Sequence, residues 1–262
     1  MSVRQFVLNA LNRLFRLRGM ELRALLPLEC DAGMDAALLR ASRLAPEVAT
    51  VIDVGAAQGK WTRRSLRYFP RARHLLVEPL AERVGELTAL CAEFPAVDFV
   101  TAAAGEAVGE VSFHVASDLD GSGVRPDMPH GARRVPVTTL DREVSSRALA
   151  GPYFLKLDTH GFELPILRGA ERVLAGCALL MIEAYNFQLI AGCLRFHELC
   201  AWLEPRGFRV CDLAEPLRRP GDTVLWQMDL VFARSDHPAF THTKYQKPAA
   251  PFRRRGDGSC GH

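Results

Sequence analysis

From about residue 49 to residue 234, short apolar runs alternate with stretches whose apolar positions recur at helical spacing. ATVIDVG (49–55), HLLVEP (74–79) and VDFVTAAAG (97–105) are such runs, and the helical patterns WTRRSLRYF (61–69) and AERVGELTALCAEF (81–94) lie between them. Strand, helix, strand, helix, strand in this order requires a parallel sheet with right-handed crossovers. EVSFHVAS (110–117) and RRVPVTTL (133–140) follow on either side of a Gly/Ser/Pro-rich loop and predict an antiparallel pair. The alternation resumes with YFLKLDTHG (153–161), a helix over LPILRGAERVLAG (164–176), the run ALLMIEAY (178–185) and a helix around RFHELCAWLEPRG (195–207). FRVCDL (208–213) and VLWQMDLVFAR (224–234) close the pattern with no helix between them, so an antiparallel hairpin is expected to finish the sheet. The fold class is α/β: a mostly parallel sheet with helices on both faces.

The two ends differ from this middle. Residues 1–26 place Phe6, Val7, Ala10, Leu11, Leu14 and Phe15 at helical spacing with arginines between them, an amphipathic pattern. It suits packing on its own domain or on a second subunit, as in a homodimer, and a membrane surface or another partner is the alternative. The expected organisation is an N-terminal helical extension (1–48), one α/β domain (49–235) and a flexible tail (236–262) rich in Pro, Gly, His and Arg. The chain has 262 residues, 48% of them hydrophobic, which supplies one core. No apolar stretch approaches the roughly 18 to 20 residues that span a bilayer. Residues 1–20 also lack the pattern of a cleaved leader, so no export is expected. Seven cysteines, an odd number with no C-x-x-C pair, argue against a zinc cluster or a disulfide framework and fit a reducing cytoplasm. The formal charge of +3 is modest and concentrated at the ends, so a nucleic-acid partner is not expected.

The first run carries the first chemistry. VIDVGAAQGK sets Asp53, Gly55 and Gly59 at a strand–turn–helix junction, where glycines let backbone approach a nucleotide-like ligand. A pyrophosphate site would continue G-x-G-x-x-G, but Ala57 and Lys60 stand where its second and third glycines belong. Glu78 ends the second run, where a carboxylate holds a ribose diol. An adenosine without phosphates suits this arrangement.

D-x-G-x-x-x-G followed by an acidic end to the second strand resembles the S-adenosylmethionine site of class I methyltransferases. VIDVGAAQGKWT, HLLVEP, VTAAAGE, VTTLD, LKLDTHGFELPILRGAERVL and MIEAY, in this order, resemble the FkbM-type members of that class over residues 49–235. The resemblance implies a Rossmann-like class I fold and S-adenosylmethionine as cofactor. It implies Asp53, Gly55 and Gly59 around the methionine part, Glu78 on the ribose hydroxyls, and the segment after Asp98 near adenine. It assigns no role to His160, because many members carry an acid or Gln there.

The strand FLKLDTHG is expected beside the first one, with its charged end facing the transferred methyl. Lys156 stands out because the chain has 33 Lys and Arg of which only four are lysines, and no other lysine lies between residues 61 and 243. It is a catalytic candidate; an ion pair with Asp158 or Glu183 is the structural alternative. Methyl transfer to a hydroxyl needs a base, and Asp158 and His160 are both candidates. If His160 serves, an acidic limb is expected in the rate profile near pH 6 to 7, the range of an unperturbed imidazole. Glu163 suits the first turn of a helix, with substrate binding as the other reading. Glu183 is placed to bind a substrate hydroxyl. Asp158, His160 and Glu183 together would suit a hard cation, yet they form no ligand-spacing motif and no metal is expected. The polar loop SDLDGSGVRPDMPHG (117–131) is a candidate substrate reader or a plain hairpin connection. The leading function is O-methylation of a small molecule or sugar. An RNA-directed methyltransferase and a non-catalytic cofactor-binding module are the alternatives.

Overall fold

The structure is a computed structural model that describes residues 31–125 and 132–244. Its compact body begins at Ala32. The amphipathic stretch 1–26, the last six residues of the 117–131 loop and the end of the tail lie outside the described residues.

The central sheet has seven strands: β1 (Thr50–Val54), β2 (Arg73–Val77), β3 (Val97–Val100), β7 (Tyr153–Leu157), β8 (Cys177–Tyr185), β9 (Phe208–Arg218) and β10 (Leu225–Arg234). Their spatial order is β3-β2-β1-β7-β8-β10-β9, with β10 antiparallel to both of its neighbours and the other pairings parallel. The expected closing hairpin is therefore β9–β10. A second sheet, in the order β4-β6-β5, is made by β4 (Ala103–Ala104), β5 (Gly109–His114) and β6 (Ala132–Thr138).

Alternation along the strands sorts the core into two layers. Ile52, Leu155, Leu157, Leu180 and Ile182 pack on one face with Ile166, Leu167, Leu199 and Leu203. Val51, Phe154, Leu179, Met181 and Val231 pack on the other with Met34, Leu38 and Phe69. The helices are α1 (Met34–Leu44), α2 (Lys60–Tyr68), α3 (Val84–Glu93), α4 (Leu140–Ser146), α5 (Glu163–Arg168), α6 (Glu171–Ala175) and α7 (Phe196–Leu203). Among the described residues no helix is long and apolar enough to cross a membrane.

Five local readings change. The helix expected over 164–176 is two helices, interrupted at Gly169 and Ala170; Gly169 lies so close to Gly105 that a Cβ there would sit 2.0 Å from the Gly105 carbonyl oxygen. Asp141 then restarts the helix by accepting the backbone N–H groups of Arg172 and Val173. The run VDFVTAAAG divides, since Ala103–Ala104 leaves the main sheet to pair with β6. α4 had no predicted counterpart; Thr139 caps it by accepting from the Arg142 N–H at 3.2 Å. α1, inside the stretch read as an extension to residue 48, packs on the sheet, with Arg40 paired to Asp212 at 2.6 Å and the Met34 N–H donated to Glu215 at 2.8 Å. At the other end, His237 bonds the Leu44 carbonyl and Phe240 lies under Arg209, so the first residues after β10 pack on the body.

Candidate active site

The strand order reverses between β1 and β7, and in open α/β sheets the ligand crevice lies outside the carboxyl ends of the strands at such a point. In-register pairing of Val54 with both Val77 and Leu157 brings three strand ends level there. Gly55 adopts φ 77°, and a Cβ on it would lie 2.0 Å from the Asp158 carbonyl oxygen. Only glycine lets the turn after β1 press against the end of β7 in this way. Gly59, at φ 73°, begins α2 against Leu90. The cavity that results measures about 360 Å³, and its walls include Gly55, Glu78, Ala103, Lys156, Asp158 and His160.

Glu78 is 5% exposed and accepts the backbone N–H groups of Ala57 and Leu80, each at 2.9 Å. Burial raises its pKa, while these two N–H groups and the charge of Arg83 act in the opposite sense. Each carboxylate oxygen keeps a lone pair beyond those bonds.

Lys156 is almost fully buried. Its Nζ lies 3.1 Å from Asp53 Oδ1 and 3.1 Å from Asp158 Oδ2, and 5.5 Å from the centre of the Trp61 ring. Burial alone would lower its pKa; the carboxylates of Asp158 and Asp53 outweigh burial and hold the ammonium charged. Lys156 thus pairs with Asp158, as one sequence alternative had it, and with Asp53 rather than Glu183.

The side chain of Asp158 is 37% exposed into the crevice. Burial works against its charged form, but Lys156 and then His160 prevail and lower its pKa, so it is a carboxylate at neutral pH. His160 sits in the left-handed region, at φ 55°. Its Nε2 is 3.0 Å from the Asp120 carbonyl oxygen, and its Nδ1 is 3.0 Å from the Tyr185 hydroxyl and 3.2 Å from Glu183 Oε2. The bond to Glu183, helped by the charges of Glu183 and Asp158, overcomes burial and raises the imidazole pKa to about 9. At neutral pH His160 is therefore an imidazolium that donates from both nitrogens, and an acidic limb at pH 6 to 7 does not follow from it. Tyr185 and Gln227 both donate to Glu183. Burial and then the Glu183 charge raise the Tyr185 pKa, which keeps its hydroxyl protonated.

Four sequence candidates lie away from the cavity wall: Gly59, which starts α2, and Asp53, Asp98 and Glu163. Asp53, 1% exposed, spends its carboxylate on the Thr62 hydroxyl at 2.7 Å and on Lys156. Asp98 is the second residue of β3, so it lies at the strand end opposite the crevice, where Arg147 Nε donates to it at 2.8 Å. Glu163 accepts from the Gly161 N–H at 3.0 Å and the Thr159 hydroxyl at 3.1 Å, which fixes the turn after β7; burial raises its pKa. The structure adds Tyr185, Gln227, Trp61, Arg83 and Asp120 to the site. Tyr185 was signalled by its place two residues beyond Glu183 on the same strand face and Asp120 by the polar loop that carries it, while Gln227, Trp61 and Arg83 were not singled out.

One donor atom each from Asp158, His160 and Glu183 lies within 4.8 Å of the other two, a spacing that would admit a divalent cation. The same atoms are engaged by Lys156, Tyr185, Gln227 and the ring proton of His160, and a cation would have to displace these partners.

The raised His160 pKa has a sign for stability. A group whose pKa is higher folded than unfolded stabilises fully below its unfolded value, near 6.5, and loses that contribution as pH rises through about 9. The melting temperature of the wild type is expected to fall more than that of His160→Gln between pH 7 and pH 9.5. Parallel pH profiles for the two proteins would contradict the assignment.

A seven-stranded sheet of this order, with a glycine turn after β1, an acid at the end of β2 and the crevice between β1 and β7, defines the class I methyltransferase architecture. The Methyltransferase FkbM domain model matches residues 53–210, and the chain belongs to that family. Among solved structures it is similar to the FkbM methyltransferase of Methylobacillus flagellatus KT, with 17% identity and a TM-score of 0.47. That match covers 70% of this chain but 43% of the other, so the chain spans less than half of that protein. It is also similar to the 1,6-didemethyltoxoflavin-N1-methyltransferase of Burkholderia thailandensis, whose structure holds 1,6-didemethyltoxoflavin and S-adenosylhomocysteine; identity is 15%, TM-score 0.46, with 90% and 92% of the two chains covered. The precorrin-6y C5,15-methyltransferase of Geobacter metallireducens GS-15 aligns at 13% identity and TM-score 0.41, covering 76% of this chain and 87% of that one. No protein of curated function matches in sequence.

Proposed function

We propose that the chain transfers the methyl group of S-adenosylmethionine to a hydroxyl of a small molecule or sugar. The observation that carries this reading is Asp158: an ionised carboxylate, partly exposed in the same cavity as Glu78, at the end of the strand beside the glycine turn. The residues present fit the cofactor. Glu78 retains acceptor capacity for a ribose diol, the Gly55 turn leaves no room for a side chain on the methionine side, and Ala102, Ala103 and Ala104 offer an apolar wall to adenine. When bound, the cofactor supplies an electrophilic methyl on a sulfonium. Beside it, Asp53, Lys156 and Asp158 sum to one negative charge, which favours a cation there.

Asp158 is held by Lys156 with its carboxylate toward the cavity, where it accepts the hydrogen bond of the acceptor hydroxyl and orients the oxygen for in-line attack. With the methyl–sulfur bond breaking as the O–C bond formed and the thioether leaving, the hydroxyl would become strongly acidic, so a carboxylate of low pKa would suffice to take its proton. His160 has both N–H groups committed and in this state has no lone pair to receive that proton. Its charge, after that of Lys156, helps keep Asp158 ionised.

The test is incubation with cofactor carrying a carbon-13 methyl group and a panel of hydroxylated, aminated and RNA acceptors. Methyl resonances at ether shifts on a small molecule or sugar are expected. Label found only on nitrogen or only in RNA, or cofactor binding with no transfer to any acceptor, would sink the proposal.

A further inference from the structure

Arg83 has no role in the reading above, yet it is 4% exposed and lines the same cavity as Glu78. Its Nη2 donates to the Asp120 carboxylate, and Nη1 lies 3.8 Å from Glu86. Nε is different: it is shut off from solvent and meets no acceptor in the protein. A buried guanidinium N–H without an acceptor is costly, more so than a neutral donor would be. Because no water-sized group reaches Nε in this state, a ligand in the cavity lined by Arg83 satisfies it only by shifting the guanidinium.

Asp120 extends the arrangement. Its carboxylate holds Arg83, while its peptide carbonyl accepts from Nε2 of His160. The segment carrying it, 116–125, contributes Leu119, Ser122, Gly123 and Val124 to the cavity wall and is tied down by the His114–Gly123 bridge and by Ser122 accepting from the Ala116 N–H. One residue therefore joins the Glu78 side of the cavity to the Asp158 side.

We propose that Arg83 is a cofactor-binding residue that donates Nε–H to an oxygen or nitrogen acceptor on the nucleoside. Through Asp120 it couples nucleoside binding to the seating of segment 116–125 and to the position of His160. The inference rests on the cofactor assigned under the proposed function.

Calorimetric titration with S-adenosylhomocysteine and with adenosine separates the two ideas, using the wild type, Arg83→Leu, Arg83→Lys and Asp120→Ala. Arg83→Leu should bind both ligands roughly 10- to 100-fold more weakly, as loss of a charged hydrogen bond implies. Arg83→Lys, which keeps the charge but lacks the Nε donor, should not restore affinity. If Arg83→Leu does not fold, the lysine variant decides the point. The Asp120 side chain is 61% exposed, so Asp120→Ala tests the coupling at little risk to the fold. Amide exchange should show 116–125 protected on ligand addition in the wild type and much less so in Asp120→Ala. Wild-type binding with unchanged affinity in folded Arg83 variants would overturn the inference alone, even if those variants melted earlier. Equal protection of 116–125 in Asp120→Ala would overturn the coupling. No binding by the wild type would overturn the cofactor reading and the inference with it.

Discussion

Asp158→Asn is expected to lower the single-turnover rate by roughly 100-fold or more, with only a small change in affinity for S-adenosylhomocysteine. Asparagine keeps the size of the side chain and one acceptor oxygen, so the acceptor hydroxyl can still be contacted. What it loses is the charge and the ability to take a proton. Asp53 still holds Lys156, and Glu78 still holds the Ala57 turn, so the cofactor end of the cavity is unaffected. The wild-type rate should fall as pH drops through the depressed Asp158 value and show no limb between pH 6 and 7. Near-normal turnover in Asp158→Asn, with the rate lost in His160→Ala, would move the base to His160. That base would be free only as pH rises through about 9.

Lys156→Met should cost about 3 to 5 kcal/mol of folding stability, the range seen when one partner of a buried ion pair is removed. The substitution strips Asp53, itself 1% exposed, of the cation paired with it among the described residues and leaves it the Thr62 hydroxyl. Lys156→Arg should not rescue the loss, because a planar fork does not fit a site shaped for a compact ammonium between two carboxylates and the Trp61 ring. Turnover by the folded fraction should fall as well, since Asp158 loses the charge that holds it ionised and aimed. Urea unfolding and single-turnover rates on the same preparations separate the two effects. A stability change under about 1 kcal/mol would mean that the pair does not anchor the site, a value usual for surface pairs.

Much of this site was legible in the chain because strand ends are where apolar alternation stops and charge begins. FLKLDTHG and MIEAY announced Lys156, Asp158, His160 and Glu183, and parallel pairing of adjacent strands brings them to one crevice edge. The partners were not legible, because they depend on sheet order and register. Asp53 faces Lys156 because β1 and β7 pair in register, and no spacing along the chain encodes that. Asp98 stands at the start of its run, so it lies at the end of β3 away from the crevice and pairs with Arg147, while Ala102, Ala103 and Ala104 after it line the cavity. The imidazole of His160 looked like a base of ordinary pKa, and only the convergence of Glu183, Tyr185 and the Asp120 carbonyl on it shows that its proton is held. The need for glycine at 169 was hidden because the Gly105 carbonyl that crowds it lies on a distant segment.

The central claim is that this cavity is a nucleoside-cofactor site built on Glu78 and the Gly55 turn, and calorimetric titration with S-adenosylhomocysteine tests it most directly. The account predicts micromolar binding by the wild type, a loss of about 1 to 3 kcal/mol in Glu78→Ala, and no measurable binding of NAD. NAD binding without S-adenosylhomocysteine binding, or a Glu78→Ala protein that binds the cofactor product as tightly as the wild type, would contradict it.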